Sequence, residues 1–372
     1  MALTPSREAF ITCAPTGAGD TTGRSARRGT SMTNRIRRAA CIGGGVIGSG
    51  WAARFALNGV DVSLFDPDPD TARKAGEVLD NAERAFARLF GAARPARGAL
   101  RVASSIAEAV DGAEFIQESV PERLDLKRAV LAGIDTAAPP EAVIASSTSG
   151  LRPSDMQRDL AHPERLLVGH PFNPVYLLPL VEIVGGQATD AAAVERADAV
   201  YASIGMKPVV VRKEIDAFIG DRLQEALWRE ALWLVHDGIA TVEEIDDVIR
   251  YSFGLRWAQM GIFQVYRVAG GEAGMRHFME QFGPCLKWPW TKLTDVPDLD
   301  EALVDRITAQ SDTQAAGLSI RELERIRDDN LIGIMEALER TGESGWGAGA
   351  RLREARGVMR ERSDQPPGGR ER

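Results

Sequence analysis

Cysteine is scarce in this 372-residue chain: Cys13, Cys41 and Cys285 are the only three, far apart and odd in number. They supply neither a disulfide framework nor the paired spacing of a metal site. No metal is therefore expected, and a reducing, cytoplasmic setting is. Long apolar runs are missing as well. Nothing approaches the ~18–20 residues that span a bilayer, so no membrane partner is expected. Positive charge is in deficit: 45 Lys and Arg stand against 53 Asp and Glu, a net charge of −8. Seven Arg face two acids in residues 1–38 and seven face four in 351–372, which leaves −16 on the body between them. So acidic a body is repelled by a phosphate backbone, and the Arg-rich ends read as solvated tails, so nucleic acid is not expected as a partner. The first 31 residues have no apolar core of a secretory signal. Their Arg-rich, acid-poor character fits an organelle transit peptide only loosely. They read instead as part of a disordered extension, residues 1–35, with an internal start at Met32.

What is present is ordinary globular composition, 44% apolar and 26% charged, in a length suited to two or three domains. Residues 36–42 form a short apolar run followed at once by Gly43-Gly44-Gly45. Trp51, Ala52, Phe55 and Ala56 then recur at helical spacing until Asn58-Gly59 stops them, and residues 60–65 alternate as a strand ending on Asp66. Strand, glycine turn, helix, strand and acid compose the dinucleotide fingerprint Gly43-x-Gly45-x-x-Gly48. Gly43 permits the tight turn, Gly45 admits a pyrophosphate close to the backbone, and Gly48 lets helix and strand pack. The helix N-terminus, opening through Val46 and Ile47, turns unpaired N–H groups toward the phosphates. Asp66 can accept from both ribose hydroxyls and would repel a 2′-phosphate, so the expected cofactor is NAD rather than NADP.

Further strands are predicted at 113–117 and 142–146, with a helix over 124–136 between them. Strands alternating with helices imply an α/β fold with a doubly wound, Rossmann-type parallel sheet. Ligands of such a sheet lie at the carboxyl ends of its strands. That rule singles out Glu118, Glu122 and the cluster from Ser146 to Gly150. Residues 166–168 form another strand, ending on Gly169-His170-Pro171-Phe172-Asn173-Pro174, where two prolines pin the loop. The next apolar run, 177–184, carries one acid, Glu182. A carboxylate inside a strand core needs a buried partner, and His170 is the nearest candidate. A histidine oriented by a carboxylate is what a general base requires.

The glycine turn, the Ser-rich turn and the HPFNP…LVE segment resemble the 3-hydroxyacyl-CoA dehydrogenase family, over roughly residues 36–340. Ser149 lies 21 residues before His170 and Glu182 lies 12 after it. These spacings match the family's catalytic Ser, His and Glu, and Asn173 matches its loop Asn. By the same resemblance Glu122 and Lys127 contact the nicotinamide end of NAD. One position departs. The family's second pocket Asn is Asp221 here, and its usual Pro-Gly-Phe is Asp216-Ala217-Phe218. An acid suits a cationic substrate better than a thioester. Trp257, Phe263, Tyr266, Phe278, Phe282, Trp288 and Trp290 crowd the same half, and an anion with aromatic faces is the chemistry that holds a quaternary ammonium. Within the family, the stretch from Trp228 to Lys292 is similar to members acting on L-carnitine. The resemblance thus implies NAD-dependent oxidation of its 3-hydroxyl; apart from the resemblance, Arg222 and Arg256 are the candidates to pair the carboxylate. Members acting on L-gulonate or 3-hydroxybutyryl-CoA are the alternative, and a non-catalytic, crystallin-like NAD-binding protein is an alternative of another class.

Beyond the strand at 208–211, Ile219, Leu223, Leu227 and Ala231 mark a helix with a broad apolar face, and Thr241-x-x-Glu244 and Ser319-x-x-Glu322 are capping boxes. The second half is therefore expected to be mainly α-helical. The expected organisation is a Rossmann domain at 36–212, a helical substrate and dimerisation domain at 213–340, and a flexible tail at 341–372. The resemblance implies a homodimer through the helical half.

Overall fold

The computed structural model describes residues 35–91, 94–258, 261–269, 274–282, 291, 300–303, 305, 317–340 and 347–363. An eight-stranded sheet organises the first half. In chain order β1 (Arg38–Ile42) leads to α1 (Val46–Leu57), β2 (Asp61–Phe65), α2 (Thr71–Phe90), β3 (Leu100–Val102), α3 (Ile106–Val110) and β4 (Phe115–Glu118). Then come α4 (Leu124–Ala137), β5 (Val143–Ser146), the short α5 (Pro153–Met156), β6 (Leu166–Pro171), β7 (Leu180–Gly185), α6 (Ala191–Ser203) and β8 (Lys207–Val211). The spatial order is β3-β2-β1-β4-β5-β6-β7-β8. Strands from β3 to β6 run parallel, β7 turns back antiparallel to β6, and β8 is parallel to β7. The chain reverses its winding between β1 and β4, so the crevice at their carboxyl ends is the natural ligand site of this topology.

Side-chain pattern explains the layers. Strands β4, β5 and β6 are buried along their whole length, as strands covered on both faces must be. One face carries Trp51 and Phe55 of α1 with Phe115 and Tyr201. The other carries Ile116, Ile144 and Val168 under Leu131 and Ile134 of α4.

The second half is helical: α7 (Gly220–His236), α8 (Val242–Val248), a π-turn at Ile249–Phe253, α9 (Gly254–Trp257), α10 (Ile262–Ala269), α11 (Gly274–Phe282), α12 (Ile320–Arg340) and α13 (Gly347–Ser363). The capping box at Thr241 is made reciprocally with Glu244, and Ser319 and Glu322 exchange the same pair of bonds. One expectation fails here. The Gly-, Pro- and Arg-rich end, read as a flexible tail from 341, holds α13, which buries Leu352, Ala355 and Met359. With Ile332 and Met335 of α12, Leu352 and Met359 pack on Leu79, Phe86 and Leu89 of α2. Arg351 also bonds the carbonyls of Ala202 and Gly205, and Arg356 that of Leu89, so basic residues that looked solvated fasten the helix down. The segment 1–34, and Trp288 and Trp290, lie outside the described residues.

Candidate active site

The glycine turn has the shape of a dinucleotide cradle. Gly43 holds φ at +106°, and a Cβ there would lie 2.6 Å from the Ser119 backbone. A Cβ on Gly48 would fall 1.8 Å from the Gly43 carbonyl oxygen. At Gly45, by contrast, nothing stands within 4 Å. Helix α1 begins immediately after it, with no side-chain cap and no acid in its first turn. Open space, uncapped N–H groups and a positive helix end are what a pyrophosphate needs. Asp66 ends β2 beside this turn and accepts from Gly44 N–H at 2.6 Å and Asp68 N–H at 2.9 Å. A 2′-phosphate placed at this carboxylate would meet like charge. The residues present therefore fit NAD.

The second cluster lies on β6 and β7. Antiparallel register sets His170 directly across from Glu182. The His170 Nδ1 lies 2.9 Å from Glu182 Oε2, and both side chains are almost wholly buried. Glu182 is further held by helix α7, whose Ile219 and Gly220 N–H groups donate to Oε1 at 3.0 and 3.1 Å. A buried carboxylate is thus satisfied by an imidazole on one oxygen and a helix N-terminus on the other. The carboxylate orients the ring and leaves Nε2 for a ligand. Phe172 and Phe218 flank the imidazole, with ring centroids 5.0 and 5.7 Å away. Asp221 Oδ1 stands 3.9 Å from Nε2. Burial lifts the Asp221 carboxyl above its usual range; Glu182, Glu225 and Glu122 add to this, and His170 opposes it.

The Ser-rich turn closes the group from β5. Glu122 Oε1 accepts from the Thr148 hydroxyl and from the N–H groups of Ser149 and Gly150, each of the latter at 3.1 Å. Its other oxygen lies 3.5 Å from Lys127 Nζ. Lys127 itself is buried, bound to Glu118 Oε1 at 2.8 Å and to the Val120 carbonyl at 3.0 Å. Both residues thus face the loops of β4 and β5 in the structure. Ser149 and Asn173 have exposed side chains at the same carboxyl edge of the sheet, and the Asn173–Pro174 peptide is cis. Trp257, Phe263 and Tyr266 are exposed on α9 and α10; Trp257 packs on Phe253, and Tyr266 stacks on Phe278. The described ring contacts do not bring them to His170. Arg222 and Arg256 have exposed side chains.

Three features escape a reading of the sequence. A buried polar chain runs from Tyr201 through Gln117 to Ser147, which also receives Trp51 Nε1. Gly220 lets α7 approach closely, because a Cβ there would meet the Phe172 ring at 2.3 Å and crowd Glu182. Arg54, on the fingerprint helix, donates to the carbonyls of Val175, Leu178 and Ile204, and so ties α1 to the loop after His170. Burial, with Arg351 nearby, pulls this guanidinium down to about 9. A lone Arg among Trp51, Ala52, Ala53, Phe55 and Ala56 was the available signal.

Comparison with known proteins agrees with this geometry. Residues 38–215 match the family model described as 3-hydroxyacyl-CoA dehydrogenase, NAD binding domain, and residues 218–301 match its C-terminal domain. The chain is 68% identical over 317 residues to L-carnitine dehydrogenase of Mesorhizobium japonicum, covering 85% of this chain and 87% of the relative. It is 63% identical to L-carnitine dehydrogenase/betainyl-CoA thioesterase of Rhizobium meliloti, covering 89% of this chain and 67% of that protein. With the L-carnitine dehydrogenase of Pseudomonas aeruginosa the identity is 54%, over 84% and 97% of the two chains. Among solved structures, an NAD-dependent dehydrogenase of 5-formyl-3-hydroxy-2-methylpyridine 4-carboxylic acid superposes with a TM-score of 0.67 at 28% identity, over 82% of this chain and 99% of that one.

Proposed function

Because the chain belongs to the 3-hydroxyacyl-CoA dehydrogenase family, we propose that it oxidises L-carnitine to 3-dehydrocarnitine, with His170 as the general base. NAD, when bound, supplies the hydride acceptor. The observation that carries the chemistry is the buried His170–Glu182 pair, 2.9 Å apart. Glu182 holds Nδ1–H and steadies the imidazolium, so that Nε2 takes the proton of the 3-hydroxyl. Ser149 and Asn173 donate to the oxygen as it becomes a carbonyl. Gly43, Gly44, Gly45, Val46, Ile47 and Gly48 receive the pyrophosphate, and Asp66 the ribose. Arg222, beside Asp221 on the first turn of α7, meets the substrate carboxylate. The substrate reading is supported by relatives of that name at 52–68% identity.

The enzyme acts as a homodimer in the cytoplasm. Leu223, Leu227 and Trp228 are exposed along α7, and Tyr251, Leu255 and Phe263 are exposed further along the helical half. Apolar surface on that scale suits burial against a second copy. Trp257 and Tyr266, which sequence reasoning offered to the substrate, are also exposed in the helical half. Among the described residues no helix is long and apolar enough to cross a membrane. The Cys41 thiol is buried, and that burial holds it protonated.

The test is NADH formation with L-carnitine, D-carnitine, L-gulonate and 3-hydroxybutyryl-CoA side by side. Turnover is expected on L-carnitine. Turnover on the thioester with none on L-carnitine would overturn the substrate and leave the family standing.

A further inference from the structure

We propose that Asp221 selects substrates that carry a fixed positive charge on the carbon next to the carbinol, acting as the counter-charge to that cation. The proposal rests on His170 as base and L-carnitine as substrate. Nδ1 of His170 is committed to Glu182, so the reacting hydroxyl must lie against Nε2, and Asp221 Oδ1 is 3.9 Å from that nitrogen. In L-carnitine the hydroxyl and the trimethylammonium sit on adjacent carbons. A hydroxyl bonded to Nε2 at about 2.6–3.2 Å therefore carries the cation into the reach of whichever charge stands beside Nε2. That charge is Asp221.

The carboxylates of the site differ in how fully they are used. Glu182 spends one oxygen on His170 and the other on two backbone N–H groups. Glu122 spends Oε1 on the Ser-rich turn and has Oε2 near Lys127. The one hydrogen bond described for Asp221 is a long one, 3.4 Å from Gln224 Nε2. Its side chain is 28% exposed, shielded enough for charge to count and open enough for a ligand. A quaternary ammonium donates no hydrogen bond, so it needs charge without direction and polarisable faces. Asp221 provides the first and the Phe172 ring, against His170, the second. Burial and the neighbouring acids also make the lone carboxylate uncomfortable, which a permanent cation relieves. The same charge disfavours a substrate bearing phosphates.

The experiment compares wild type, Asp221→Asn and Asp221→Glu on L-carnitine and on its carbon isostere without the cation, 3-hydroxy-5,5-dimethylhexanoate. Asn keeps the shape and removes the charge; Glu keeps the charge. The expected result is a fall of about 10- to 100-fold in the kcat/KM ratio of L-carnitine to isostere for Asp221→Asn, carried mainly by KM, with partial rescue in Asp221→Glu. An unchanged ratio in Asp221→Asn would overturn the assignment while the substrate reading stands. Wild-type enzyme inactive on L-carnitine would overturn the substrate reading itself. Should Asp221→Asn not fold, the proposal is read from wild type and Asp221→Glu with choline and uncharged 3,3-dimethylbutan-1-ol as inhibitors. Choline is expected to compete with L-carnitine better than the alcohol does, and less well in Asp221→Glu; equal inhibition by the two compounds would refute the counter-charge.

Discussion

At the scale of single residues the site is held together by Glu182 and Glu122, each with defined partners. Replacing His170 with Ala removes the proposed base and should lower turnover by roughly 10²–10⁴-fold, while NAD binding, followed by titration, stays near wild type. Much of this was legible in the chain. One acid in an apolar run demanded a partner, and a histidine on the preceding strand end was the nearest. The helix that finishes the job was not legible, because Ile219 and Gly220 reach Glu182 across 37 and 38 residues. Away from the site, Asp135 receives two bonds from Arg165 and the N–H groups of Ala161 and His162. Burial pushes its carboxyl up, but those bonds and the Arg165 charge outweigh it and hold it below the usual range. A depressed carboxyl adds stability that is complete above its unfolded value, about 3.9, and that is lost as pH falls through the folded value. Asp135→Asn should therefore cost about 3 kcal/mol at neutral pH, measured by denaturant unfolding, and the difference should shrink below about pH 4.

At the scale of elements, glycines separate folding from binding. Gly48→Ala drives a Cβ into the Gly43 carbonyl and should unfold or distort the turn, whereas Gly45→Ala meets nothing. Gly45→Ala is expected to keep the melting temperature within about 2 °C, since an uncrowded surface change lies within about 0.5 kcal/mol, and to raise the KM for NAD. A large loss of stability in Gly45→Ala would mean that the open side is structural. Periodicity marked α1, β2, β5 and α7, but the 20-residue α2 went unread although Ala75, Leu79, Ala82 and Phe86 recur along its buried face. Strand β3 passed unnoticed because it has three residues, two of them exposed, so it shows no pattern. Ala217 and Phe218 could not be foreseen either. Both hold positive φ, at 58° and 49°, a conformation that L-residues adopt only when their surroundings impose it. Phe218 is wholly buried against His170, and the Ala217 N–H reaches the Gly150 carbonyl.

At the scale of the molecule, composition misled in one place. Gly, Pro and Arg at the end of the chain suggested solvation, yet α13 closes a third apolar cluster over α2. Composition cannot show that Arg351 and Arg356 find carbonyl acceptors on distant elements. Ending the chain at residue 346 should lower stability by several kcal/mol, at about 1.5–3 kcal/mol for each large buried side chain such as Leu352 and Met359, measured by thermal melting. In solution the exposed face of α7 should make the enzyme sediment as a dimer. Trp228→Glu with Leu227→Glu should shift it to monomer, and a monomeric wild type would refute the dimer.

The His170–Glu182 register has a further consequence for how this enzyme would fail. The proposed base and the carboxylate that orients it sit opposite each other on one hydrogen-bonded ladder, so neither can be misplaced while the other stays put. Catalytic competence is then a reporter of that ladder. Under heat or denaturant, activity should vanish together with amide-exchange protection at Gly169 and Ile183, as one cooperative event and with no half-active species on the way.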